Sequence, residues 1–399
     1  MSASLDPSDL LHLAVALDGA GWHPASWREP DARPADLLTP RYWTDLVREA
    51  ERGLLDFVTI EDGLTLQSDD VLHVDDRTDR VRGRLDAVLI ASRVAPLTSH
   101  IGLVPTAIAT HTEPFHLSKA IATLDYVSSG RAGIRVQVSA SRDAAGHFGR
   151  RDVPDLSSFD RPAARSFVGD LFEETGDYVE VLRRLWDSWE DDAEIRDVGT
   201  GRFVDRNKLH YIDFEGKRFS VKGPSITPRP PQGQPIVAAL GHGEAAYRLI
   251  ARSADVGFVT PHDAAETAAI VDAISSHRGG DVAPVRVFAD LVVFLADTPA
   301  EATARRERLD HLAGSPYASD AEIFVGTPEQ LADLLQQWQA AGAVGFRLRP
   351  ATLPHDLLQI TDGLVPELRK RAAFRDAYPA ATLRGTLDLP RPANRYSTV

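Results

Sequence analysis

The chain has 399 residues, no cysteine, a single methionine and a formal net charge of −14. Without cysteine there is no disulfide, no thiolate metal site and no cysteine nucleophile. The negative balance argues against nucleic acid and against an anionic membrane surface as partners.

An ordinary globular composition excludes a disordered chain. The scarcity of oxidisable sulfur fits a plain Ala- and Arg-rich bias, and it also fits a protein that handles peroxides. The start, MSASLDPSDLLHLAVALDG, has no basic region and only a short, interrupted apolar run. It reads as a first strand and not as a signal, so the expected location is the cytoplasm, with no membrane span.

Apolar runs then alternate with helical patterns. Residues 11–18 form the first strand candidate. A helix follows over 40–53, with Pro40 at its start and Gly53 at its end. Residues 55–63 are a second strand, 84–96 a helix, and 100–110 a third strand. The helix over 113–130 carries Pro114 in its first turn and Gly130 after its last. Residues 131–141 are a fourth strand. Four more strands fall at 234–240, 254–260, 285–297 and 344–350, with helical patterns such as 243–253 and 327–342 between them.

Eight strand–helix units with Val-, Ile- and Leu-rich strands suit a parallel sheet covered by helices. They predict an α/β protein, a (β/α)8 TIM barrel forming a single domain over 1–399. A doubly wound open sheet is the alternative, but it usually needs fewer units. Two stretches break the rhythm, giving long insertions after strands 2 and 4. Residues 65–84 are polar and Asp-rich. Residues 140–234 are too long for a βα loop and read as an insertion region of long helix, hairpin and lid. The C-terminal tail, 379–399, holds several prolines and has no periodicity. It either wraps a neighbouring subunit or hangs loose.

Barrel enzymes carry their sites at the strands' C-terminal ends. Asp62 ends strand two, where a carboxylate can accept a hydrogen bond from a cofactor; it or Glu61 can equally cap a loop or helix. Thr106 ends strand three, and its hydroxyl can either meet a ring edge or bond backbone. His111 can act as acid or base, or cap the next helix. Ser139 and Ser141 sit where strand four opens. Small hydroxyls there suit a phosphate or an oxygenated group, or ordinary loop turns. Gly241, His242 and Gly243 lie between strand five and a helix, where glycines and helix amides can cradle a phosphate. No metal site is expected: His12 has no H-x-H partner. Trp186 and Trp189 read as core or interface.

Several segments, in order, resemble the bacterial luciferase-like flavin monooxygenases, and among them the nitrilotriacetate and dibenzothiophene-sulfone monooxygenase group. They are GAGWHPASWREP, FVTIEDG, IGLVPTAIATHTEPFHLSKAIATLDYVSSGRAG, YVEVLRRLWDSWEDDA with HYIDFEGKRFSVKGP, and ARSADVGF. The resemblance implies a TIM barrel, reduced FMN supplied by a separate flavin reductase, O2 as cosubstrate, a small-molecule substrate, and a homodimer or homotetramer. It also implies FMN contacts at Asp62 and Thr106, and it strengthens Ser139 and Ser141.

Three departures stand against it. Gly133-Ile134-Arg135 replaces the group's G-W-N, so Arg135 places a charge in or beside the lumen that needs a partner. Val168 and Phe172 stand where the group has a His and a Tyr on the phosphate. Gly243 stands where it has a serine. These departures keep two alternatives in view: a deazaflavin-dependent hydride-transfer oxidoreductase on the same barrel, and a non-catalytic homologous subunit.

Overall fold

Eight parallel strands close on themselves. They are β1 (His12–Leu17), β2 (Phe57–Ile60), β3 (Gly102–Ile108), β4 (Gly133–Gln137), β5 (Ile236–Gly241), β6 (Val256–Val259), β7 (Arg286–Leu295) and β8 (Gly345–Pro350). Each pairs with its neighbour in order. β8 returns to β1 with Gly345 opposite His12, and β6 meets β7 with Val256 opposite Arg286. Seven lie within the predicted runs, and β5 ends one residue beyond its run, at Gly241. In this computed structural model the described residues are 10–397, apart from 69, 71, 72, 155, 157–160 and 280–282. Residues 1–9, on which the reading of the N-terminus partly rests, lie outside them. So do parts of 65–84 and 140–234 and the last two residues of the tail.

The strands form where they do because both faces are covered. Every residue of β1, HLAVAL, is buried. Such a strand needs no polar alternation, only apolar side chains that tolerate the pleat. Helices α1 (Pro40–Arg52), α2 (Ala87–Val94) and α3 (Pro114–Val127) follow the first three strands. Thr39 caps α1 and Pro40 opens it, as the sequence predicts.

After β4 the structure differs from the sequence reading. A short helix, α4 (Arg142–Phe148), precedes α5 (Pro162–Asp187). The long helix is the barrel's own fourth helix, packed between α3 and α6 (Glu244–Ser253). Its buried stripe includes Leu171, Tyr178, Leu182, Leu185 and Trp186, whose spacing puts them on one face. The Trp186 indole donates to the Ser118 carbonyl at 3.0 Å, which locks α5 onto α3. The excursions are therefore the loop before α5 and two hairpins after it. One pairs Glu194–Asp197 with Arg202–Val204; the other pairs Phe214–Glu215 with Ser220–Val221, inside the predicted hairpin.

A short strand, Glu322–Gly326, was not among the expected strands. It pairs with the upper half of β7, above the point where β6 stops. The tail is also more ordered than its composition suggests. A turn at Leu383–Thr386 buries Leu383 and Leu387 against Phe57, Val104, Ile236 and Phe288 at the lower end of the barrel. The Arg384 guanidinium donates to the Gln234 carbonyl at 2.9 Å. Asn394 Nδ2 donates to the carbonyls of Asp187 and Trp189, both at 2.8 Å. Thus the tail packs on its own barrel.

Candidate active site

Residues two apart on a strand point the same way, so the lumen fills in layers. The lower layer is apolar: Ala14, Phe57, Val104, Phe258 and Phe288. One step up each strand it becomes polar: Thr59, Thr106, Arg135, Asp290 and Arg347, all buried. Another step up stand Glu61, Gln137 and Arg349. The upper barrel is therefore a buried charge network and not a hydrocarbon core.

Each charge in it has a partner. Arg135 pairs with Glu61, and it donates to Thr106 Oγ1 at 2.9 Å and to Gln137 Oε1 at 2.9 Å. This is the partner that a charge in β4 demanded. Asp290 receives Arg347 through Nε at 2.8 Å and also through Nη2. It receives Arg349 through Nε at 2.9 Å and Nη2 at 2.5 Å. Arg347 also reaches Glu61 at 3.4 Å and stacks on Phe258, 4.1 Å from the ring centre. Arg349 reaches Asp320 at 2.6 Å. Burial pushes the Arg135 guanidinium down to about 10 while Glu61 opposes, which leaves it charged at neutral pH. Burial favours a protonated Asp290, but Arg347 and Arg349 hold it below its ordinary range.

Above this floor lie the predicted candidates. Asp62, Ser139 and Ser141 line one cavity of about 420 Å³, together with Gln137, Ile108 and Arg84. The structure thus brings these three together. Their side chains also shape the loops. Asp62 accepts from Gly63 N at 2.7 Å and from Ala87 N at 3.0 Å, at the start of α2. Burial raises its pKa against those two donors. Ser141 Oγ caps α4.

Thr106 is placed differently from the expectation. It is fully buried in the lumen with Arg135 on its hydroxyl, so it orients that guanidinium and does not line the cavity. His111 is apart as well. It lines a neighbouring cavity with Arg150, Arg151 and Glu174, and its ring stacks on Phe148 at 5.1 Å. Burial, then Arg151 and Arg150, lower its pKa, so the ring is neutral at pH 7.

Gly241, His242 and Gly243 lie across the mouth, at the start of α6. Gly243 has φ 145°, and a Cβ there would meet no atom within 4 Å. No side chain caps the helix. His242 Nδ1 lies 2.9 Å from Thr260 Oγ1, and its Nε2 lies 3.4 Å from Asp320. Burial lowers its pKa, with Asp320 opposing.

The "Luciferase-like monooxygenase" sequence pattern matches residues 21–345 of this chain. The chain belongs to the luciferase-like monooxygenase family. Another member, N-acetyl-S-(2-succino)cysteine monooxygenase of Bacillus subtilis, is 31% identical, across 97% of this chain and 98% of that protein. Nitrilotriacetate monooxygenase component A of Aminobacter aminovorans is 28% identical, across 96% and 97%. The crystal structure of DmoA from Hyphomicrobium sulfonivorans superposes with a TM-score of 0.80 at 25% identity, covering 95% of this chain and 92% of that one. Among luciferase-like barrels, this member is thus a TIM barrel whose mouth rests on arginines.

Sequence reasoning missed Asp290, Arg347, Arg349 and Asp320. A signal was present: FRLRP places two arginines two apart in a strand otherwise apolar, so both share one face. It also weighted Asp62 over Glu61, although it is Glu61 that turns into the lumen.

Proposed function

We propose that the chain is the oxygenating component of a two-component, flavin-dependent monooxygenase. It takes reduced FMN from a separate flavin reductase and transfers one atom of O2 to a small organic substrate. The second oxygen atom leaves as water, with the two electrons drawn from the reduced flavin. The flavin, when bound, supplies the reactivity toward oxygen. This chain's residues orient the ring, exclude water and seat the substrate.

One observation carries the reading: Asp62, Ser139, Ser141 and Gln137 line a polar cavity of about 420 Å³, and Gln137 ties its wall to the buried network by accepting from Arg135 at 2.9 Å. Those four residues would hold the ring's edge, and Thr106 would act through Arg135. The residues also fit a phosphate. Gly243 leaves open space beside the uncapped start of α6, whose amides suit an anion. Gly241 and His242 would flank it. We assign no proton transfer to His111, since it lines a different cavity. We read the enzyme as cytoplasmic and as a homodimer or homotetramer, the latter checked by light scattering.

A deazaflavin keeps a place because Phe172 lines a groove with Arg248 and Arg252 that offers the phosphate no imidazole or phenol from α5. An anaerobic titration decides. Reduced FMN quenches the protein's tryptophan fluorescence to saturation. Gly243→Val crowds the cradle and strains its φ, so it weakens FMN binding at least about tenfold while the fold persists. Tighter binding of the deazaflavin, or equal binding by the variant, sinks the FMN assignment. Binding of neither cofactor favours a non-catalytic subunit.

A further inference from the structure

We propose that a second cavity, beside the mouth, is the substrate pocket, and that it takes an uncharged apolar molecule of about two fused rings. The cavity lies between the loop after β1, the start of α1 and the segment 78–85 after β2. Its wall is built by Trp27, Leu37, Leu38, Trp43, Val81 and Leu85.

Three observations fix the chemistry of its ligand. First, the indole N–H groups in the wall are consumed by the protein. Trp27 Nε1 donates to the Asp79 carbonyl at 3.0 Å and Trp43 Nε1 to the Leu37 carbonyl at 3.0 Å. Both rings therefore present carbon faces. Second, the charged groups of the wall face opposite charges of the protein. Arg84 holds Asp18 at 2.5 Å, Arg82 pairs with Asp75, and Arg80 lies 4.0 Å from the same carboxylate. Glu61 lies on Arg135 and Arg347. A carboxylate ligand would have to compete with Asp18 for Arg84 and with Asp75 for Arg82, whereas an apolar ligand disturbs neither pair; Arg80, whose contact with Asp75 is the longest, is the wall cation that a polar ligand could engage. Third, the cavity holds about 290 Å³. An apolar cavity of about 150 Å³ admits benzene. Twice that volume suits two fused rings or an alicyclic body of that size.

Its position ties it to the site already described. Glu61 belongs both to this wall and to the lumen network, and Arg84 lines both this cavity and the one with Asp62 and Ser139. A ligand here lies next to the proposed ring site, separated by the Arg84–Asp18 pair. Leu38, 68% exposed, stands at the entrance. Polycarboxylates, which the nitrilotriacetate relative's name specifies, do not suit this wall.

Only the word substrate rests on the proposed function; the binding itself needs no flavin. Equilibrium dialysis of flavin-free, full-length protein against naphthalene tests it, with citrate as the comparator. Naphthalene binds saturably at one site and citrate does not. Val81→Trp fills the cavity and weakens naphthalene binding at least about tenfold, while reduced FMN binds as in the parent. Leu85→Ala enlarges the cavity and shifts preference toward the three-ring fluorene, which answers the question even where Val81→Trp does not fold. No saturable naphthalene binding, equal binding of citrate, or a preference unmoved by Leu85→Ala overturns the proposal. A normal FMN titration alongside such a failure leaves the flavin reading standing; a failed FMN titration alongside naphthalene binding does the reverse.

Discussion

Asp290→Asn lowers the unfolding free energy by about 3–5 kcal/mol. The residue is fully buried and receives four guanidinium N–H groups, two from Arg347 and two from Arg349. The amide keeps the volume but removes the charge, and its NH2 faces donors with a donor. Two buried cations are then left with Glu61, Asp320, the Thr59 hydroxyl and the faces of Phe258 and Trp22. Asp320 sits at the rim with a side chain 43% exposed, so Asp320→Asn costs about 1 kcal/mol or less. Urea unfolding of both variants at pH 7 separates them. Equal losses from the two would show that the buried carboxylate is not what holds the arginines.

At the other end of the barrel, stability falls as pH rises from 6 to 9. His12 Nδ1 lies 2.8 Å from Asp56, and its Nε2 lies 3.7 Å from Asp388 in the tail. Burial alone would lower its pKa, but Asp56 and then Asp388 reverse this and raise it from 6.5 to about 8. A group whose folded pKa exceeds its unfolded one binds its proton more tightly when folded. Its contribution is complete below pH 6.5 and is lost as pH climbs through about 8. A difference of that size corresponds to about 2 kcal/mol. His12→Gln removes the slope between pH 6 and pH 9 and leaves the high-pH stability near the parent's. The check is the unfolding free energy at both pH values; parallel losses in parent and variant would rule the imidazole out as the cause.

The barrel was legible because its strands are mostly Val-, Ile-, Leu- and Ala-rich runs without the alternation of a half-exposed sheet, a pattern that survives without any knowledge of their neighbours. Arg135 was legible as a problem for the same reason, since a cation in such a run must find a carboxylate. What could not be read was the phase of side chains at a strand's end. Glu61 and Asp62 are adjacent acids, and pairing register decides which enters the lumen. Register also brings Asp290 of β7 level with Arg347 of β8. The sequence spaces them 57 apart. The long helix α5 was legible as a helix but not as a barrel helix, because the loop before it disguised its place in the count. The Trp27–Leu85 cavity joins two loops after different strands, and nothing local in either announces the other.

The tail turn at Leu383–Thr386 has a consequence for how this protein comes into being. The ribosome releases those residues after all eight strands. Until then Phe57 and Phe288 at the lower end of the barrel lack the cover of Leu383 and Leu387, and His12 has yet to meet Asp388. A nascent chain is thus an unsealed vessel, and any product cut short before residue 383 stays one. The stopper is made after the strands it closes, so the apolar surface it hides distinguishes a sealed barrel from an open one.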